Sequence, residues 1–150
     1  MNYRNSNGNT FVQALSNKRS VLVLLKNDNG TIFGGFTQAR LYYSYGDSND
    51  FTDRTSFLFN LLDKKSWRCV TTFDSTLETV DYGSSKWLFF SENDDLHDLA
   101  IRNTNGFQAA NSRSQLGGYN VPRDANRINQ LTKKLDGQQF KVDDMEIWEI

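Results

Sequence analysis

Residues 21–37 read VLVLLKNDNGTIFGGFT, and this stretch decides the fold. Val21–Leu25 is a short apolar run, which predicts a strand buried on both faces. Asn27–Gly30 is a strong turn signal, because Asn and Gly accept a positive φ at low cost. Thr31–Thr37 then supplies a returning strand. Residues 20–37 are therefore predicted to form a β-hairpin.

Short apolar runs continue along the chain and are separated by polar turns. They lie at Ser56–Leu62, Trp67–Phe73, Lys86–Phe90, Asp98–Ile101 and Phe140–Ile150. The alternation of the last run is interrupted near Asp143 and Asp144, which predicts a bulge or a switch of face. Because no strand–helix–strand rhythm is present, a parallel doubly wound sheet is not expected.

Helix signals are few. Thr10 resembles an N-cap for a helix over Phe11–Ser16, with Phe11 and Leu15 on one side. Residues 44–54 and 103–120 are predicted to be loops, and residues 124–134 either a short helix or irregular chain. The prediction is a mainly β protein (β-rich α+β) with residues 1–150 as a single domain. Its fold would be a two-sheet antiparallel β-sandwich with one or two short helices.

The composition excludes several classes of protein. The 17 Lys and Arg nearly balance the 18 Asp and Glu, so the net charge of -1 gives no field for nucleic acid or an anionic membrane. No apolar run approaches the roughly 20 residues that cross a bilayer, and the N-terminus lacks the apolar core of a signal peptide. A cytoplasmic location is therefore expected. The 16 Asn and 13 Ser indicate either many structured loops or a codon bias of the source.

Metal, thiol and phosphate chemistry all lack the residues they need. One Cys and one His exclude a Cys/His zinc cage and an internal disulfide. Cys69 is expected to be a small buried residue and His97 a loop histidine. The acidic run Glu92–Asp98 lacks the spacing of a calcium loop and is interpreted as a solvated loop. The sequence therefore predicts no metal and no cofactor.

Two glycine pairs and a group of cations allow more than one interpretation. Gly34 and Gly35 lie inside a strand, so they indicate a bulge or a close backbone approach and not a phosphate loop. Gly117 and Gly118 are interpreted in the same way. A set of cations in the second half fits either a mixed surface or a nucleic-acid patch: Arg102, Arg113, Arg123, Arg127, Lys133 and Lys134.

The C-terminal carboxylates are the most suggestive group. On a strand, Asp144, Glu146 and Trp148 point to one side, and one carboxylate is expected to face the interior. Such a carboxylate could accept hydrogen bonds from loop amides, or it could act in acid–base catalysis. The structural role is the favoured alternative.

Three stretches, taken in order, resemble the TLDc domain in the form common in protist proteins. The hairpin carries Phe33, Gly34 and Gly35, which are similar to the family's Phe-Gly-Gly strand. Phe57, Leu58 and Phe59 resemble its Phe-Leu-Phe strand. The ending of the chain, with Glu146 and Trp148, resembles its Ile-Glu-Val-Trp close. Gly117 and Gly118 resemble part of the late loop of the protist form.

The resemblance implies a β-sandwich without a settled catalytic mechanism. Family members are linked to resistance to oxidative stress and to regulation of the vacuolar proton-pumping ATPase. The expectation is a non-enzymatic interaction module that binds a protein partner, such as a pump subunit, through loops at one end of the sandwich. Two alternatives are a scaffold component of a ciliary or cytoskeletal assembly and a carboxylate-dependent enzyme. No nucleic-acid partner and no membrane insertion are expected.

Overall fold

The computed structural model describes residues 8–69, 76–83, 85–91, 97–104, 112–114, 119 and 121–150. Within these residues the chain forms a single α-helix and eleven β-strands. The elements are α1 Gly8–Leu15, β1 Val21–Asn27, β2 Ile32–Thr37, β3 Asp47–Phe51, β4 Phe57–Asn60, β5 Lys65–Arg68, β6 Leu77–Tyr82, β7 Ser85–Ser91, β8 His97–Thr104, β9 Ser112–Arg113, β10 Gln139–Phe140 and β11 Val142–Glu149.

The strands form two antiparallel sheets, as the sequence predicts. The first sheet has the order β11-β1-β2-β4-β5, and the second has the order β10-β9-β8-β7-β6-β3. The N-terminal hairpin is confirmed, with Leu22 opposite Phe36 and Leu24 opposite Gly34. The C-terminal strand pairs with β1, so both ends of the chain contribute to the first sheet.

The predicted bulge in the last strand is confirmed. Lys26 pairs with Asp144, but Asn27 pairs with Val142, which leaves Asp143 as the extra residue. The extra residue shifts the alternation of β11 by one position. Val142 and Met145 are therefore both buried, although they are three residues apart.

Several local predictions are wrong. The helix begins at Gly8, so Thr10 lies inside it and does not cap it, although Phe11 and Leu15 are both fully buried as expected. The predicted loop at 44–54 contains the strand β3. The side chains of β3 are polar, and the strand lies at the edge of the second sheet. The strand β6 is absent from the prediction.

Other predictions change in extent. β1 is buried on one face only, because its side chains alternate between buried and half-buried or exposed positions. Residues 103 and 104 extend β8, and β9 lies inside the predicted loop 103–120, most of which falls outside the described residues. Residues 124–134 are irregular, tied by the isolated bridges Arg123–Asn129 and Ile128–Leu135.

The glycine pair of β2 lets aromatic rings pack on both faces of the first sheet. Gly35 faces the core, where a Cβ atom would lie 2.8 Å from Cε1 and Cε2 of Phe90 in β7. Gly34 faces outward, where a Cβ atom would lie 3.0 Å from Cζ of Phe59 and would press on the backbone carbonyl of Val23. The sequence predicts a bulge or a close backbone approach here; the pairing of β1 with β2 has no register shift, and the group that approaches Gly35 is an aromatic ring.

Buried asparagines fasten the irregular segment 121–138 to the sandwich. Asn27 donates from Nδ2 to the carbonyl of Thr132 at 2.9 Å, and Asn60 donates to the carbonyl of Leu131 at 3.0 Å. Asn129 accepts from the backbone N–H groups of Leu131 and Thr132 at 2.9 and 3.2 Å. Since the three Asn side chains are at most 1% exposed, they satisfy backbone groups that would otherwise be buried without partners.

The packing of Gly35 predicts the effect of adding one methyl group. Gly35→Ala should lower the free energy of unfolding by about 1–3 kcal/mol, because the new Cβ overlaps the ring of Phe90. Urea denaturation measures this loss. Phe90→Leu shortens the opposing side chain, so the double variant should lose less stability than the sum of the single losses. Strict additivity would contradict the proposed clash.

The role of Asn129 predicts a loss of comparable size. Asn129→Ala removes acceptor and donor together, including the 3.0 Å bonds to Ser114 and Asp136, and should cost about 1–3 kcal/mol. Hydrogen exchange should accelerate in segment 121–138. The matched control is Asn126→Ala, because Asn126 is exposed and should be nearly neutral. Equal losses for the two variants would show that Asn129 does not fasten the segment.

Candidate functional site

The first sheet turns an apolar surface outward. In an antiparallel sheet packed on one side, the solvent-facing positions are usually polar. Here seven of the outward positions of β1, β2, β4 and β11 carry large apolar side chains that are half-buried or, in the case of Trp148, 50% exposed. We call this set the apolar face: Leu22, Leu24, Ile32, Phe36, Phe57, Phe59 and Trp148.

The register of the strands arranges the apolar face in continuous rows. One row runs across all the strands of the first sheet, in the order Trp148, Leu22, Phe36, Phe57 and Arg68. The next row runs in the order Glu146, Leu24, Gly34, Phe59 and Ser66. The ring centroids of Phe36 and Phe57 are 5.3 Å apart, and those of Phe57 and Phe59 are 6.2 Å apart.

The two sides of the apolar face carry opposite charges. On the β11 side, Glu146 accepts a hydrogen bond from Nε1 of Trp148 at 2.9 Å. Asp144 lies beside it in a hollow with Leu24 and Ile32, opposite the exposed Lys26 of β1. On the β5 side, Arg68 is exposed and lines a second hollow with Arg54, Phe36 and Phe57. Within the part of the chain that the structure describes, neither Glu146 nor Arg68 forms an ion pair.

Asp53 supports the basic side of this surface. Its Oδ2 accepts from Oγ1 of Thr37 at 2.7 Å and from the N–H of Gln38 at 2.6 Å. Its Oδ1 accepts from the N–H and Oγ1 of Thr55 at 2.9 and 2.6 Å. Burial raises the pKa of Asp53, but the hydrogen bonds from Thr55, Thr37 and Gln38 outweigh burial, and the net pKa is lowered. The carboxylate therefore holds the loop that carries Arg54.

The outer face of the second sheet also carries apolar residues, some of them covered. Val80, Phe89 and Ala100 are at most 3% exposed and form a small cluster of their own. The guanidinium of Arg102 lies 5.2 Å from the ring centroid of Trp87 and 5.5 Å from that of Phe89. Beside them Tyr82 is 52% exposed, with its ring centroid 6.0 Å from that of Trp87.

The residues singled out by sequence divide between the core and the apolar face. Phe33 and Leu58 are fully buried, and Gly35 packs on Phe90 inside the sandwich. The outward group is Gly34, Phe57, Phe59, Glu146 and Trp148. Gly117 and Gly118 lie outside the described residues. The expectation that a C-terminal carboxylate faces the interior is wrong, because the bulge at Asp143 leaves Glu146 on the outer face beside Trp148.

The other described residues that the sequence analysis considered for thiol, imidazole or metal chemistry lie in a strand or against the core. Cys69 is half-buried against the core, not fully buried, and His97 begins β8. Asp98, the last residue of the acidic run, is buried and accepts from the N–H of Tyr119 at 2.9 Å. Residues 92–96 of that run lie outside the described residues.

Ser56 and Tyr119 form a pair of buried hydroxyl groups, with Oγ and Oη 2.6 Å apart. Burial raises the pKa of Tyr119 well above its usual value, although its hydrogen bond with Ser56 opposes this. Tyr119 is therefore protonated at neutral pH, whereas a general base must be deprotonated. Its Oη instead donates to the carbonyl of Thr76 at 3.1 Å, which links two loops.

No group of three or more His, Cys, Asp or Glu side chains among the described residues could hold a metal ion. No helix in those residues has the length and apolar character needed to cross a bilayer. Several cations of the second half are paired: Arg123 lies 3.3 Å from Asp136, Lys134 lies 2.9 Å from Asp28, and Lys133 contacts Asp63.

Sequence reasoning missed part of the apolar face. The sequence analysis places Leu22 and Leu24 in a strand buried on both faces. It assigns Ile32 and Phe36 to no site. The sequence signal that could have revealed the apolar face is the unbroken apolar run in an antiparallel hairpin. Such a run places large side chains on the outward face, where alternation with polar residues is usual.

One comparison with known proteins covers the entire chain. The sequence model of the TLDc domain matches residues 1–150. Among curated proteins, the sequence has no significant match.

The lowered pKa of Asp53 predicts a dependence of stability on pH. Its ionised form is favoured in the fold, so its contribution is fully present above the unfolded pKa of about 3.9 and is lost as the pH falls through the lower folded pKa. Asp53→Asn should lower stability at pH 7, because the amide cannot accept hydrogen bonds at both positions. The difference from wild type in urea denaturation should shrink as the pH falls below about 4. A difference that stays constant with pH would contradict this role.

Proposed function

Because the chain belongs to the TLDc domain family, we propose that it is a non-enzymatic interaction module that docks onto a protein partner through the apolar face. One observation carries the proposal: seven large apolar side chains lie side by side on the outward face of the first sheet. Contiguous exposed apolar surface is rare on monomeric domains and is typical of interaction sites. Aromatic residues, here Phe57 and Trp148 among others, are enriched at the energetic centres of such interfaces.

For the partner, we propose a subunit of the vacuolar proton-pumping ATPase. The support is the family membership, since the resemblance of the sequence implies pump regulation and resistance to oxidative stress. A pump subunit that faces the cytoplasm would require this protein to be cytoplasmic. The charges beside the apolar face, Glu146 on one side and Arg68 on the other, would fix the orientation of the partner.

The non-enzymatic part of the proposal is supported by the positions of the polar groups. Glu146 accepts a hydrogen bond from Nε1 of Trp148 on the outer surface of the sheet and not inside an enclosed cleft. Glu146→Gln removes one orienting charge and should reduce capture of the partner only in part, whereas loss of a catalytic carboxylate would abolish function. A scaffold role in a ciliary or cytoskeletal assembly would use the same face, but the protein would then co-purify with filaments through salt washes.

Substitution on the apolar face provides the test. Tagged wild-type protein should recover pump subunits from native lysate under conditions that keep the pump assembled. Trp148→Ser and Phe57→Ser should each reduce that recovery at least about tenfold, because they remove aromatic area from the contact. Quantitative mass spectrometry of the captured subunits measures the change.

The matched control is Tyr45→Ser, which removes an 86% exposed aromatic residue outside the apolar face and should not change the recovery. Thermal unfolding of each variant verifies that the fold persists. If wild-type protein captures no pump subunit from lysate that contains assembled pump, the proposed partner is wrong. If Trp148→Ser and Phe57→Ser capture as much as wild type, the proposed face is wrong.

A further inference from the structure

The apolar face is complementary to a rotated copy of itself. We infer that, without its partner, the chain pairs with a second copy of itself, face to face, about a two-fold axis parallel to β2. This inference rests on the proposed function in one respect: it uses the surface that we propose for docking. Self-pairing would therefore compete with the partner and regulate access to it.

The order of the strands makes the charges complementary. Glu146 lies on β11 and Arg68 on β5, which are the outermost strands of the first sheet. A two-fold axis along the central strand β2 places β11 of one copy over β5 of the other. Each Glu146 then faces the side that carries Arg68, and this contact occurs twice because the interface is symmetric.

The rows of side chains also fit under this rotation. In the first row, Leu22 meets Phe57 of the second copy, and Phe36 meets its own equivalent. In the second row, Leu24 meets Phe59, and Gly34 meets Gly34. The small glycine at the centre of the second row leaves room between the two sheets for the rings beside it.

The register of the rows also sets the contacts at the sides. Because the axis is parallel to β2, the rows of the two copies stay in register, and Arg68 lies over Trp148 of the second copy. Glu146 lies two residues, about 7 Å, further along the same strand. The long side chain of Arg68 therefore meets Trp148 and the neighbouring Glu146, which are joined by a hydrogen bond. A guanidinium is stabilised by an indole ring as well as by a carboxylate.

The other in-plane two-fold axis is unfavourable. An axis perpendicular to the strands places β11 over β11 and β5 over β5. It would bring Glu146 toward the Glu146 side of the second copy and Arg68 toward the Arg68 side. Like charges would then meet at both sides of the contact, which selects against this arrangement.

The small contact area between the two copies indicates a weak dimer. The five described strands span about 20 Å across, and about five residues along each strand span about 17 Å. The footprint of about 350 Å² per copy is less than the roughly 800 Å² per partner of a stable complex. A dimer of this size is in exchange with monomer, so a partner with a larger contact area can displace the second copy.

Charge reversal in the purified chain of residues 1–150 tests the pairing. By sedimentation equilibrium, the wild-type mass should rise from 17.3 kDa toward that of a dimer as the concentration increases. The rise should fall between roughly 10 μM and 1 mM, as expected for a small interface. Arg68→Glu and Glu146→Arg should each weaken self-association at least about tenfold, because like charges then meet at both symmetric contacts.

An equimolar mixture of the two variants should recover the wild-type association. In the mixed dimer, each carboxylate of the R68E chain faces a guanidinium of the E146R chain, so both contacts become attractive again. The control is Arg127→Glu, which makes the same change of charge in segment 121–138 and should leave association unchanged. A wild type that stays monomeric up to about 1 mM, or a mixture that does not recover, would overturn the pairing.

The two proposals fail in different ways. Self-association is measured without any partner, so its absence leaves the capture of pump subunits unaffected. Loss of pump capture with intact self-association would instead overturn the proposed partner. Full self-association by Phe57→Ser would show that the second copy does not sit on the apolar face.

Discussion

The packing of Phe90 on Gly35 is the contact on which the arrangement of the two sheets depends. Because Gly35 has no side chain, the ring from β7 lies directly on the backbone of β2, in the middle of the first sheet. The neighbouring glycine has the same property on the opposite face, where Phe59 packs over Gly34. One dipeptide thus fixes the spacing of the sheets and shapes the apolar face. The glycine pair is therefore structural on one side and surface-forming on the other.

The asparagine content has a similar physical explanation. An irregular segment of chain cannot satisfy its backbone groups in a ladder, so a buried segment needs side chains that donate and accept. Asn27, Asn60 and Asn129 do both, and each is buried where segment 121–138 meets the sheets. Structured loops thus account for these three residues. A codon bias, the alternative explanation of the composition, is not needed for them.

The sequence predicted those features that depend on local pattern. The hairpin at 20–37 follows from turn chemistry, and the bulge at Asp143 follows from an interrupted alternation. The strand β3 was missed because an edge strand tolerates polar side chains on both faces, so its pattern resembles that of a loop. The predicted direction of the Glu146 side chain was wrong. The bulge was predicted, but it decides which face each later residue of the strand takes. The apolar face was missed because the order of strands, which brings Trp148 beside Leu22, is a property of the fold and not of any single stretch.

Leaving the apolar face uncovered exposes the protein to unspecific association, and the charges limit how it can associate. Glu146 and Arg68 lie at opposite sides, so only one in-plane rotation of a second copy matches both charge and shape. That rotation is two-fold and covers both faces at once, so the assembly closes at two copies and does not propagate into a filament. The exposed Lys65 and Arg68 on β5 also discourage edge-to-edge pairing of strands at that side of the sheet. The same charges that would orient a partner therefore restrict self-association to a closed, weak and displaceable pair.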